Sequence, residues 1–208
     1  MPKYVDPDRR RQDIVDAVFR IVVADGLERA SLREVAEESE LAVGSVRHYF
    51  RSSDELLIHT FATVVDRILD RVEIAADNLQ KAVDAGAGTE AIETAALHML
   101  SELLPIGEER ATDRCVWLAF RNAARIKDVF AAEAARSHRG VGAAVGQLIT
   151  ALRGPAAAQD LDALVVDAEL LMSTVDGLSV HALLQPQWLD EQTCRAALTR
   201  QLRFLARA

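Results

Sequence analysis

Between Val43 and Ser53 the chain gathers Val43, Gly44, Ser45, Arg47, His48, Tyr49 and Ser53, preceded by Ser31 and Arg33. These residue types bind rather than catalyse. An arginine presents a fork of donors that fits the O6 and N7 edge of guanine, while a hydroxyl or an imidazole meets a base edge less selectively. Ser45, Arg47 and His48 are therefore the base-edge candidates. Val43 and Gly44 permit close approach and a contact with a thymine methyl. Tyr49 and Ser53, with the amides of a helix opening at Ser53, suit phosphate oxygens. Arg33 can reach a base or a phosphate, and Ser31 can both cap a helix and touch a phosphate.

The elements that hold these residues are short. Ser31 followed by Glu34 is a capping-box pattern, in which the hydroxyl accepts from first-turn amides and the carboxylate reaches back. Leu32, Val35 and Ala36 then recur at helical spacing. Leu41 stands in a turn, and Val46 and Phe50, four apart, share one face of a second short helix. Ser52 and Glu55 repeat the capping-box pattern and open a third helix. Two small helices joined by a tight turn, the second polar and aromatic outside, form a helix-turn-helix that can enter the major groove.

Ala36, Leu41, Gly44, Val46, Tyr49, Phe50, Ser52, Glu55 and Leu56 stand in an order and spacing that resembles the DNA-binding domain of TetR-family transcriptional repressors. Three positions depart from that pattern. Glu40 occupies a turn site where the family usually has glycine, and a left-handed backbone there strains a side chain. Ala42 stands where a serine or threonine usually caps the recognition helix, forgoing about 1 kcal/mol. Arg47 replaces a usual aromatic and should change which bases are read.

The resemblance implies an all-α protein of about nine helices. Residues 1–52 would be a three-helix helix-turn-helix DNA-binding domain and residues 53–208 a helical effector-binding and dimerisation domain. It further implies a homodimer on a palindromic operator of double-stranded DNA, a repressor released by a small-molecule effector, and no cofactor. A different class of reading is a dimeric helical adaptor or ligand-binding protein without specific DNA binding, supported by Glu40, Ala42 and the acidic balance.

Composition agrees with the helical reading. The chain has 208 residues, half of them hydrophobic, with 10 glycines and 5 prolines, and no strand-like alternation persists. No apolar run is long enough to span a bilayer, and MPKYVDPDRRR lacks the apolar core of a signal peptide, so a cytoplasmic protein with no membrane partner is expected. Net charge is −8. Residues 1–51 hold nine Lys/Arg against ten Asp/Glu, and the remainder fifteen against twenty-two. Phosphate affinity must then come from local placement, with Lys3, Arg9, Arg10, Arg11, Arg33, Arg47 and Arg51 as the candidate positive face, and binding should be salt-sensitive. No enzyme is expected: the chain has no G-x-S-x-G, no phosphate-cradling glycine loop and no metal-ligand spacing. Cys115 and Cys194 read as small buried residues.

Farther along, the spacing predicts helices over 8–24, 53–83, 89–104, 108–127, 128–152, 161–184 and 190–206. Candidates for the effector site are Phe61, Val65, His98, Met99, Leu103, Trp117, Phe120, Arg121, Met172, Val175 and Asp176, apolar and aromatic residues with a few polar groups that need a partner. Asp176 stands in VDGL, similar to a motif of the subfamily containing the choline-responsive repressor, and an arginine partner across an interface is the competing reading. Two helices carry the dimer signal: Val166, Leu170, Gly177, His181 and Leu184 share one face of 161–184, and Cys194, Leu198, Leu202 and Leu205 form a stripe on the last helix. A four-helix bundle made by two copies of that pair would cover both.

Overall fold

A computed structural model describes residues 6–207. Lys3 lies outside them. Among the described residues the chain is all-α: α1 Pro7–Asp25, α2 Leu32–Glu38, α3 Val43–Tyr49, α4 Ser53–Asp84, α5 Thr89–Ser101, α6 Glu108–Ala124, α7 Ala131–Arg153, α8 Leu161–Leu184 and α9 Glu191–Leu205, with single 3-10 turns at Leu27–Arg29, Asp128–Phe130 and Pro155–Gln159.

The ends follow from local chemistry. Asp6, Ser31, Asp160 and Asp190 cap α1, α2, α8 and α9 by accepting first-turn amides through their side chains, each satisfying an orphan donor. Gly26 closes α1 at φ 86°, ψ 165°, a region almost restricted to glycine. The helix expected over 89–104 stops at Ser101, because the ring of Pro105 would meet the carbonyl four residues back in a continuing helix. The helix expected to reach Lys127 stops at Ala124, and Asp128–Phe130 form a tighter turn before α7.

The chain forms two compact units that do not follow chain order. One is the described part of Met1–Asp66 with Cys115–Ala135; the other is Arg67–Arg114 with the described part of Arg136–Ala208. Helices α4, α6 and α7 contribute residues to both. In the first unit α2 packs on α1 and α3, with Ile14, Val18, Phe19, Val35, Val46 and Phe50 buried. Phe61 stacks on Phe120 at 5.0 Å between centroids, and both meet the edge of Phe130, an arrangement aromatic quadrupoles favour.

In the second unit α9 packs on α5 and α8. A β-carbon added at Gly140 of α7 would lie 2.6 Å from Cδ2 of Leu69 on α4, so glycine sets the closeness of that crossing. Cys194, Leu198, Leu202 and Leu205, expected at a dimer interface, are at most 1% exposed. Helices α5 and α8 of the same chain pack against α9. Both free cysteines sit where burial raises the thiol pKa.

Candidate nucleic-acid interface and effector region

Helix α3 is fixed from beneath by Val46 and Phe50, 0% and 2% exposed. Its remaining face is open: Val43, Gly44, Ser45, Arg47 and His48 are exposed and Tyr49 half-buried. The His48 and Tyr49 rings meet edge to face at 5.3 Å. Ala42 holds the extended backbone of a helix cap (φ −68°, ψ 145°) and supplies no side-chain bond. Glu40, in the preceding turn, has φ 55°, so the left-handed turn is kept without glycine.

Ser31 is exposed and its Oγ accepts from the Glu34 amide at 3.2 Å. The capping box is not reciprocal. The Ser31 amide donates to the Arg29 carbonyl at 2.8 Å, and the Glu34 carboxylate instead pairs with Arg29 Nη2 at 3.2 Å. Arg33 is exposed. At the start of α4 the Ser52 hydroxyl accepts from the Glu55 amide (3.1 Å), while the Glu55 carboxylate accepts from the Arg51 amide (2.7 Å). Ser53 is half-buried at this end.

Of the N-terminal arginines, Arg9 and Arg11 are exposed and Arg10 pairs with Asp13 at 3.5 Å. The Arg11 guanidinium lies 5.8 Å from the centroid of Phe50, and the Phe50 ring lies 5.4 Å from that of His59. Burial first, then the Arg11 charge, lowers the His59 pKa from 6.5.

The effector candidates fall into both units. Phe61, Val65, Trp117 and Phe120 are buried in the first, and Arg121 lies over the Trp117 ring at 4.7 Å. Met99, Leu103, Met172 and Val175 are buried in the second. Asp176 accepts from Arg114 Nη2 at 3.0 Å within the chain, which supplies an intrachain arginine partner. The His98 side chain is 59% exposed, with Nδ1 3.9 Å from Glu102.

A group of buried charges escaped the sequence reading. Asp113, fully buried, accepts from Arg71 at 2.7 Å and lies 3.5 Å from Arg67; Glu102 pairs with Arg110 at 2.9 Å. The signal was present, since Asp113, Val116, Trp117 and Phe120 share the spacing of one apolar stripe. A charge in such a stripe needs a buried partner.

Comparison with known proteins decides what carries this architecture. Residues 14–60 match the model of bacterial regulatory proteins of the tetR family, and residues 92–207 match the C-terminal domain of BetI-type transcriptional repressors. The chain belongs to the TetR family. This TetR protein is 36% identical over 190 residues to the HTH-type transcriptional regulator PksA of Bacillus subtilis strain 168, covering 89% of this chain and 84% of that one. A transcriptional regulator from Rhodococcus sp. Rha1 superposes with a TM-score of 0.77 at 26% identity, covering 95% of this chain and 96% of that one. The multidrug binding protein EbrR complexed with ethidium gives 0.60 at 27% identity, covering 92% and 98%. As a TetR regulator the protein has a helix-turn-helix DNA-binding domain and a ligand-binding C-terminal domain, and its family is one of regulators rather than enzymes. Among the described residues no helix is long and apolar enough to cross a membrane.

Proposed function

We propose that this TetR regulator is a homodimeric repressor, binding a palindromic operator through α3 and released by a small molecule held in its C-terminal region. One observation carries the reading: α3 exposes Ser45, Arg47 and His48 while Val46 and the C-capping Phe50 are locked beneath. Such a helix can present its polar face to base edges without unfolding anything. Val43 and Gly44 lie against the groove floor. Ser31, Arg33, Tyr49 and Ser53 take phosphates; with the Arg51 and Glu55 amides engaged in capping, the amides between them serve at α4.

One recognition helix reads few base pairs, so two copies give the operator its length and symmetry. Val166, Leu170, Gly177, His181 and Leu184 form the pairing face, on which Val166, Leu170 and Leu184 are 59%, 55% and 71% exposed. We assign residues 1–52 to DNA and residues 53–208 to effector and partner. The effector candidates form two sets, each proposed by itself: Phe61, Val65, Trp117 and Phe120 with Arg121 in the first unit, and Met99, Leu103, Met172 and Val175 with His98 and Asp176 in the second. Binding of ethidium by the similar EbrR supports an effector with a flat apolar body. Repression ends to the extent that the effector prefers the conformation unable to hold the operator. The protein acts in the compartment that holds its DNA.

The test is fluorescence-anisotropy titration of the purified protein against tiles of its own upstream DNA at two salt concentrations. Tight, salt-dependent binding to one palindromic tile is expected; weak, uniform binding to every tile overturns the reading.

A further inference from the structure

In the second unit one carboxylate stands between two cations. Arg71 of α4 donates through Nη1 to Asp113 Oδ2 at 2.7 Å. Its Nε and Nη2 are sealed from solvent and meet no hydrogen-bond acceptor. Glu102 Oε2 lies 3.8 Å from Nε, beyond hydrogen-bond reach. Glu102 is held off because its other oxygen is bonded to Arg110 Nη1 at 2.9 Å, while Arg110 Nε donates to the Ile106 carbonyl.

The two claims on Glu102 are unequal. Arg110 and Arg71 keep similar shares of their side chains exposed, 24% and 21%, but of the two only Arg71 has donors, Nε and Nη2, sealed from solvent without an acceptor, and an unsatisfied buried charged donor is costly. A displacement of about 1 Å between α4 and the C-terminal end of α5 would bring Nε within bonding distance. A second pairing is thus within reach of one carboxylate. The helix that senses the exchange, α4, also supplies residues 53–66 to the unit that contains α3.

We propose that Glu102 is the moving contact of an ion-pair exchange on α4. Bonded to Arg110 in the arrangement described, it transfers to Arg71 in the other state between which operator and effector choose. The inference rests on the regulator reading above. It assigns Arg71, Glu102 and Arg110 as positioning residues that set the balance of the two states from a site that touches neither base nor phosphate.

The test uses the full-length protein and the DNA tile that binds it. Arg110→Gln releases Glu102 and favours the exchanged pair. Arg71→Lys keeps a charge beside Asp113 but removes the Nε donor, and favours the arrangement described. Operator affinity should move in opposite directions in the two variants, each by about fivefold, the low end of coupling between sites, with circular-dichroism melting showing both folded. Should Arg71→Lys fail to fold, Arg71→Gln, which keeps a donor for Asp113 and lacks the Nε donor, takes its place with the same expected sign. Shifts in the same direction, or none, overturn the exchange while leaving the regulator reading intact. A wild-type protein that selects no tile overturns that reading and the exchange with it.

Discussion

Arg47 is exposed on a helix whose two anchors are buried elsewhere, so its side chain can be removed without disturbing the core. A bidentate arginine–guanine contact discriminates by about 1–3 kcal/mol. Arg47→Ala should weaken operator binding roughly tenfold and flatten the preference between cognate and mutated tiles, with the melting curve unchanged. Unaltered affinity and selectivity would remove Arg47 from the base-reading set. His59 makes a pH prediction at the same scale. Burial and the neighbouring Arg11 lower its pKa from 6.5, so the folded protein resists protonation there. As pH falls through 6.5 the unfolded chain takes up the proton first, and stability declines until the folded imidazole also titrates; above 6.5 the group contributes no slope. Urea midpoints measured at pH values on either side of 6.5 should converge in His59→Gln relative to wild type. Because His59 is partly exposed, the slope is shallow.

The α2–α3 turn shows how far local chemistry can be read from residues alone. The Glu40 position was expected to require a left-handed backbone, and it has φ 55°. Ala42 was expected to cap α3 without a side-chain bond, and it does. Both sites therefore hold removable costs. Glu40→Gly should raise unfolding stability by about 1 kcal/mol through relief of the left-handed strain. Ala42→Ser should add about 1 kcal/mol by accepting a first-turn amide. Each is read as a shift of urea midpoint at constant slope, and a loss of stability in either would contradict the backbone angles. The Ser31 cap was legible for the same reason, since it acts through a bond three positions away; Asp6, Asp160 and Asp190 cap through equally local bonds and were missed. What depends on distant residues was not. The Arg114–Asp176 pair spans 62 positions, and the Arg71–Asp113 bond spans 42. Periodicity marks a face as covered without naming its cover, and α5 and α8 of the same chain pack against the striped helix α9.

For the whole molecule, exposure separates two kinds of apolar surface. Leu170 on α8 is 55% exposed, whereas Leu198 on α9 is fully buried. Leu170→Glu should leave helix content intact, shift sedimentation to the monomer and lower operator affinity about a hundredfold or more through lost bivalency. Leu198→Glu should instead cost at least about 3 kcal/mol of folding stability by burying an unpaired charge. A Leu170→Glu protein that remains dimeric would place the pairing face elsewhere.

The crossing of α4 and α7 has a consequence for how the sequence can drift. Any side chain at Gly140 meets the terminal methyls of Leu69. A lineage that first shortens Leu69 opens room for alanine at 140, whereas one that substitutes Gly140 first must turn the Leu69 side chain aside. The order of the two changes then matters more than either change alone, and descendants should show a larger residue at 140 chiefly where position 69 has already shrunk.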